Sequence, residues 1–283
     1  MENSFFRNKT AVVTGGGGTI CSEIAIQLAK NGAKVAIFGR KLEKLRKTEE
    51  KIKALGGECL PLSVDVSDEA AVLRAAEEVY KTFGPCDFLV NGAGGNNPKA
   101  VTANSFFQKE DLLPRQETGK LSFFNVDMGD FKSVIDVNLI GAVICCRVFG
   151  AQMAEKGSGA IINFASMNSY CPLSCRPAYA MSKAAIVNFT QWLASYLAPA
   201  GVRVNAVAPG FVTNENNVRF NGSPETGYTP RGMKIIERTP MGRFSQASEL
   251  WSAVEWLLDD EKAGFVTGIA LPVDGGFLSY SGL

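Results

Sequence analysis

Residues 11–21 read Ala11-Val12-Val13-Thr14-Gly15-Gly16-Gly17-Gly18-Thr19-Ile20-Cys21. A short β-branched run ends at Thr14 and reads as a buried strand. Four glycines follow, where the backbone must turn freely. Ile20, Ile24 and Leu28 then recur every four residues, which is one face of a helix. Strand, glycine turn and helix in this order give the loop a meaning that a lone glycine run lacks. Unhindered N–H groups at a helix N-terminus can approach a pyrophosphate. A structural turn is the alternative.

The same alternation continues outward. Asn31-Gly32 closes the first helix. Lys34–Phe38 is a second strand, and Leu42–Leu55 is a charged, periodic helix closed by Gly56-Gly57. Cys59–Val64 reads as a third strand, with Ser67 as the expected N-cap of a helix running towards Phe83. Phe88–Asn91 is a fourth strand, ending in Gly92-Ala93-Gly94-Gly95. From Asn96 to about Val126 the rhythm fails, so this is either a functional loop or a partly ordered surface insertion. A helix is expected from Asp130 to about Lys156, a strand over Ala160–Ala165, and a long helix from Pro177 to Leu197. Val202–Val207 is a sixth strand, Asn214–Ser245 a polar, lid-like segment, Ser248–Asp259 a helix, and Ile269–Val273 a seventh strand. The pattern predicts one α/β domain over residues 1–283: a Rossmann-type, doubly wound parallel sheet with helices on both faces.

Composition narrows the chemistry. Lys plus Arg is 29 and Asp plus Glu is 28, so a net charge of +1 offers no electrostatic case for nucleic acid or an anionic membrane surface. The N-terminus lacks signal-peptide patterning, and no uninterrupted apolar run approaches the ~18 residues a membrane span needs. The seven cysteines are scattered and odd in number, which predicts reduced thiols in a cytoplasmic protein. No histidine is present, so no metal site is expected, and Ser-His-Asp, Cys-His and His-based metalloprotease chemistry are impossible. Any general acid or base must be Tyr, Lys, Asp, Glu or Cys.

Tyr179 and Lys183 are four residues apart near the start of a helix, hence on one face. An ammonium near a phenol favours the phenolate and lowers the Tyr pKa from about 10, making it usable near neutral pH. Ser166 follows the fifth strand, at the strand end that faces the ligand crevice of such a sheet, where its hydroxyl could hold a carbonyl or alkoxide oxygen. At the second strand's end an NAD site would carry an acid for the ribose hydroxyl. This sequence has Phe38-Gly39-Arg40-Lys41 instead. Arg40 can pair with a 2′-phosphate, favouring NADP over NAD, or it merely begins a solvated helix.

These motifs stand in the order of the short-chain dehydrogenase/reductase family, which the protein resembles over nearly its whole length. They are Thr14-Gly15 with its glycines, Asp65-Val66, Asn91-Gly92-Ala93-Gly94, Asn138, Ser166, Tyr179-x-x-x-Lys183 and Pro209-Gly210. The resemblance implies that Tyr179 exchanges the proton. Lys183 would bind the nicotinamide ribose and lower the tyrosine pKa, Ser166 would orient the substrate oxygen, and Asn138 would hold a water in the relay. It implies a cofactor lined by Gly15, Gly17, Gly18, Thr19, Ile20, Arg40, Asp65, Val66, Asn91, Ala93, Gly94, Pro209, Gly210 and Val212. Thr19 and Cys21 occupy the last two glycine positions of the family's usual motif, and Asn214 replaces a frequent threonine.

A finer resemblance lies in Gly94–Lys99, the insertion, Thr239–Phe244 and the ending Pro272–Leu283. These are similar to the D-mannonate oxidoreductases within this family, also called fructuronate reductases, and imply reversible reduction of D-fructuronate. A sugar-acid carboxylate wants a cation, and its hydroxyls want polar side chains. Lys99, Arg176, Arg219 and Arg231 are the candidate cations, and Asn96, Asn97 and Asn168 the candidate hydroxyl readers. Each has a solvated surface role as its alternative. A gluconate 5-dehydrogenase-like enzyme, a 3-oxoacyl reductase and a non-catalytic cofactor-binding regulator are the rival functions. The resemblance also implies a homotetramer, with the tail from Gly275 to Leu283 near a subunit interface.

Overall fold

The computed structural model describes residues 4–214, 218 and 220–281. Seven strands form one sheet: β1 Thr10–Thr14, β2 Lys34–Gly39, β3 Cys59–Ser63, β4 Phe88–Asn91, β5 Gly159–Phe164, β6 Val202–Pro209 and, after a small hairpin, β9 Ala270–Val273. Their order is β3-β2-β1-β4-β5-β6-β9, and every neighbouring pair is parallel. The order reverses between β1 and β4, which opens a crevice at the strands' carboxyl ends.

Successive strand side chains point to opposite faces. Ala11 and Val13 pack on one side with α1 (Thr19–Lys30) and the helix Trp251–Leu258. Val12 packs on the other with α3 (Glu69–Phe83), α6 (Gly141–Lys156) and α7 (Pro177–Leu197). Both faces are covered, so the central strands are buried throughout. Arg203 on β6 is buried and compensated: Nη1 donates to the Leu257 carbonyl at 2.7 Å and Nε to Asp260 Oδ1 at 2.9 Å. That fork ties the last helices to the sheet.

Several boundaries differ from the sequence reading. Asp68 rather than Ser67 caps α3, accepting from the Ala71 N–H at 3.1 Å, because Ser67 Oγ is engaged by Asp65 at 2.6 Å. The expected helix over 130–156 begins at Met128 as α5 (Met128–Ile135), passes through a π turn at Asp136–Ile140, and continues as α6. By length and apolarity this run would fit a membrane span, although polar residues interrupt it; half of its most apolar window is buried inside the protein.

The insertion is ordered rather than structureless. Lys109–Leu112 forms a 3-10 turn and α4 (Arg115–Thr118) a helical turn. Asp111 and Asn104 bond at 3.0 Å, and the Ser122 hydroxyl reaches the Asp111 carbonyl at 2.7 Å. Ala100 docks the segment against Phe131, Val134 and Ala178. The lid-like stretch is also ordered over its described residues 220–245. It contains the hairpin β7 (Gly222–Ser223) and β8 (Gly227–Tyr228), then the helix Pro230–Glu237, whose Ile235 is buried. At the start of the tail, Gly275 and Gly276 lie against Thr239, Pro240 and Met241; Gly282 and Leu283 fall outside the described residues.

The exits of β1 and β4 meet closely. Thr14 Oγ1 accepts from the N–H groups of Gly92 at 3.1 Å and Ala93 at 3.0 Å. A side chain on Gly92 would place its Cβ 1.9 Å from Cys21 Sγ. Cys21 thus fills the space that a glycine here leaves open. Gly92→Ala is expected to lower stability by about 1–3 kcal/mol, as overpacking does. Cys21→Ala in the same protein should restore most of it, read as the shift in urea midpoint across the double-mutant cycle.

Candidate active site

The cleft at the carboxyl edge between β1 and β4 has a volume of about 600 Å³. Ten of the expected cofactor residues line it: Gly15, Gly17, Gly18, Thr19, Ile20, Arg40, Asp65, Val66, Ala93 and Gly94. Gly15 has φ +74°, and its added Cβ would stand 2.8 Å from the Gly92 carbonyl oxygen. Gly17 abuts Lys44, where a Cβ would stand at 2.8 Å. Gly18 precedes α1 without a side-chain cap, so the orphan N–H groups of the first turn face the glycine cradle. This is a floor shaped for a phosphate group, and a nicotinamide dinucleotide fits it.

At the outer end, the wall carries Arg40, Lys41 and Lys44 beside one acid, Asp65. Ser67 donates to Asp65 Oδ1 from its hydroxyl at 2.6 Å and its N–H at 3.0 Å, and these bonds hold the carboxyl below its usual pKa. Lys41 precedes α2 (Leu42–Ala54) and Lys44 lies in its first turn, and neither was given a role from the sequence. Asn214, noted in the sequence only as a departure, also lines the cleft.

Among the described residues, six expected ones are not on this wall: Tyr179 and Lys183, which stand beyond Gly94, and Asn91, Pro209, Gly210 and Val212. Asn91 points into the core, donating to Asn163 Oδ1 at 2.9 Å and facing Cys146 Sγ at 3.2 Å. Its Oδ1 is buried without a partner. Pro209 ends β6 beside Val273, Gly210 lies against Asp274, and Val212 is a core residue bridged to Ser245. Alternation along β4 turns Asn91 to the opposite face from Val90, which spacing alone did not reveal.

Residues expected to handle the proton gather beyond Gly94, whose added Cβ would meet Asn138 Oδ1 at 2.5 Å and Lys183 Nζ at 3.7 Å. Asn138 sits in the π turn, buried, with three hydrogen bonds to its side-chain amide. Oδ1 accepts from the Gly95 N–H at 3.1 Å, and Nδ2 donates to the carbonyls of Gly95 at 2.7 Å and Val134 at 2.8 Å. The side chain is a brace between the β4 loop and the helix. Oδ1 keeps a second lone pair, so these bonds leave room for one further donor at this oxygen.

Lys183 is buried and donates from Nζ to the Phe164 carbonyl at 2.6 Å. Burial pushes its pKa down to about 8. The nearby Cys21 thiol gives no countercharge, because burial pushes it up to about 12. The expectation that Lys183 lowers the Tyr179 pKa is not met in the protein alone. Lys183 Nζ stands 5.8 Å from the Tyr179 ring centre and is directed at a carbonyl. Burial holds the phenol above its usual value, and a hydrogen bond from Ser166 and the charge of Arg176 pull it down.

The candidate substrate residues divide. Asn168 is buried and bonded to Ser166 Oγ at 3.0 Å, so it is not a free hydroxyl reader. Asn97 is tied to α5 through Asp130 at 3.0 Å, and Lys99 is an exposed surface residue. Asn96 Oδ1 is buried with no partner, an open acceptor beyond Gly95. Arg176 immediately precedes α7, close enough to Tyr179 to act on its phenol. Arg231, in the first turn of the lid helix, bonds to Asn221 and lies within electrostatic reach of Arg176. Arg219 falls outside the described residues.

Known proteins share this arrangement. The sequence profile of the short chain dehydrogenase family matches residues 9–223. The protein is 43% identical over 276 residues to UxuB, an uncharacterized oxidoreductase of Bacillus subtilis (strain 168), covering 97% of this chain and 96% of that protein. A Haemophilus influenza structure with bound NAD, described provisionally as a D-mannonate oxidoreductase, superposes with a TM-score of 0.91 at 39% identity, covering 99% of this chain and 100% of the other. A Beutenbergia cavernae structure, described provisionally as an NAD(P)-dependent gluconate 5-dehydrogenase with NADP at low occupancy, superposes with a TM-score of 0.80 at 34% identity, covering 98% and 100%. With this fold, this nicotinamide-sized cleft and a profile match over most of its length, the protein belongs to the short-chain dehydrogenase/reductase family of oxidoreductases that act on CH–OH groups.

Proposed function

We propose that this enzyme interconverts a ketone and a secondary alcohol on a sugar acid, D-fructuronate and D-mannonate, using NADP in preference to NAD. The observation that carries the acidic substrate is the pair Arg176 and Arg231. Arg176 lies within electrostatic reach of both Tyr179 and Arg231, and Arg231 is partly desolvated. Among the described residues neither has an ion-paired carboxylate. A bound carboxylate would relieve that repulsion. The buried, unpartnered Asn96 Oδ1 supplies an acceptor for a sugar hydroxyl. The likeness to the provisionally described D-mannonate oxidoreductase supports the same reading. Arg40, Lys41 and Lys44 supply charge for a 2′-phosphate, which supports NADP. The seven free thiols support a cytoplasmic setting.

In the reduction, Tyr179 gives its hydroxyl proton to the carbonyl oxygen, and Ser166 hydrogen-bonds the same oxygen. The nicotinamide cofactor supplies the hydride when bound. Lys183, a buried ammonium on the same helix face, would donate to the cofactor ribose when the cofactor is bound. Asn138 holds the β4 loop at the working distance. A gluconate 5-dehydrogenase-like activity is the second reading, favoured by the Beutenbergia cavernae structure. A 3-oxoacyl reductase would make less use of the arginine pair, and a pure cofactor binder would need no Tyr-Lys pair.

Absorbance of the reduced nicotinamide during incubation with D-fructuronate is the direct test. Oxidation should be faster with NADPH than with NADH, and Tyr179→Phe should lose about 10²–10⁴-fold in kcat while still binding cofactor. Arg176→Ala should raise KM for D-fructuronate by about tenfold or more, with no matching rise in KM for an uncharged keto sugar. No oxidation of D-fructuronate alongside rapid oxidation with 5-keto-D-gluconate or an acetoacetyl thioester would move the assignment to the second reading or the third.

Lys183 also predicts a pH effect on stability. Its pKa is about 8 when folded and about 10.5 when unfolded, so the folded state is penalised for holding the proton. The penalty is complete below about pH 8 and fades as the pH rises towards 10.5. Lys183→Met removes it, offset by the lost bond to Phe164. Its Tm advantage over the native protein should therefore shrink steadily across that window, and a gap constant with pH would contradict the assignment.

We further propose a homotetramer, with the tail from Gly275 to Leu283 near a subunit interface. Phe189, Trp192 and Tyr196 stack along α7, with Trp192 58% and Tyr196 67% exposed, which leaves an apolar face available for another copy. Sedimentation velocity at micromolar concentration should give a four-subunit species; a monomer would rule it out.

A further inference from the structure

Ser166 is a hydroxyl with one proton to give and two lone pairs to receive. Both lone pairs are filled by one residue. Asn168 donates to Ser166 Oγ from its backbone N–H at 3.2 Å and from Nδ2 at 3.0 Å. The orientation of the Asn168 amide is fixed on its other side: Oδ1 accepts from the Leu173 N–H at 2.8 Å, so an oxygen must face Leu173 and the NH₂ must face Ser166. Asn168 and Ser166 are 5% and 6% exposed, so water does not compete freely for these bonds. Ser166 is also fixed from behind. Ser169 Oγ receives the Ser166 N–H at 3.4 Å and donates to the Lys183 carbonyl at 2.6 Å, which links the Ser166 turn to the helix bearing Tyr179 and Lys183.

We infer that Asn168 is a positioning residue that makes Ser166 an obligate hydrogen-bond donor. The only hydrogen-bonding capacity left on Oγ is its proton. That proton can point only towards the reaction space, to the substrate oxygen or to the Tyr179 oxygen, and Ser166 cannot act there as an acceptor. The direction agrees with the hydrogen bond from Ser166 that pulls the Tyr179 phenol down against burial. A donor held in one orientation needs no reorganisation when negative charge develops on the oxygen it faces. Asn168 touches neither substrate nor cofactor in this role. The inference rests on Ser166 and Tyr179 being the reacting pair proposed above.

The test uses three variants of the full-length protein, assayed on whichever of D-fructuronate, 5-keto-D-gluconate and an acetoacetyl thioester the native enzyme reduces fastest. Asn168→Asp keeps the acceptor for Leu173 but replaces the NH₂ by a second acceptor, which turns the Ser166 proton towards residue 168. If Asn168 only braces the loop through Leu173, this variant should work within about twofold of native. If the inference holds, kcat falls by about 10²-fold, the size of losing an oriented donor. The pH profile of alcohol oxidation should also move up by about half a unit or more, because the phenolate loses its donor. Asn168→Ala serves if the aspartate variant does not fold, with a drop of about tenfold and a shift of the same sign expected. In a Ser166→Ala background, neither substitution at 168 should lower kcat further or move the profile. Full activity of Asn168→Asp, an unshifted profile, or equal losses with and without the Ser166 hydroxyl would overturn the inference. Ser166→Ala at native activity would bring down the Ser166 role and this inference together, whereas a crippled Ser166→Ala with an active Asn168→Asp would bring down this inference alone.

Discussion

The close approach of β1 and β4 at their carboxyl ends is the constraint on which the site rests. Two strands whose connections run in opposite directions must part there, and the gap between them is where a ligand can enter. Thr14 prevents the gap from widening by accepting two backbone N–H groups from the β4 exit. Gly15 and Gly92 prevent it from clogging, because neither tolerates a Cβ at that distance. The glycine cradle, the α1 N-terminus and the Gly94-Gly95 loop all take their positions from this junction. Cys21 is part of the same junction, and its sulfur occupies volume left by Gly92.

The second half of the site is held by hydrogen bonds. Asn138 ties its side-chain amide to Gly95 and Val134 by three bonds, and the π turn that carries it interrupts the run from Met128 to Lys156. Ser169 joins the Ser166 turn to the Lys183 backbone, and Lys183 reaches back to the end of β5. Tyr179, Ser166 and Lys183 therefore share one rigid frame drawn from α7 and the β5 exit. A buried ammonium with no carboxylate beside it is costly, and its lowered pKa is the sign of that cost. Such strain is common where a charge is kept for chemistry rather than for stability.

Much of this was legible in the sequence. The strand-glycine-helix run at 11–21, the regular return of apolar strands and the Tyr179-Lys183 spacing each report a local rule: period, turn chemistry or helix geometry. Pro177 to Leu197 agrees with the observed helix end to end, since proline in the first turn and the following periodicity are both local signals. The less legible parts depend on contacts distant in sequence. The insertion looked irregular because its order comes from side-chain bonds such as Asn104 to Asp111, which leave no periodicity. Ser67 looked like a cap until Asp65 claimed its hydroxyl.

The sequence by itself determined the doubly wound sheet, the place of the glycine cradle and the shared helix face of Tyr179 and Lys183, because patterning and i, i+4 spacing are properties of residues close together in sequence. Only the tertiary structure decided which of those side chains face the cleft. Asn91 turned inward, Asn168 became the partner of Ser166, and Arg176 met Arg231 from a segment more than fifty residues away. It also decided the Tyr179 and Lys183 pKa directions, since desolvation depends on what surrounds a group from every side and no linear spacing encodes that.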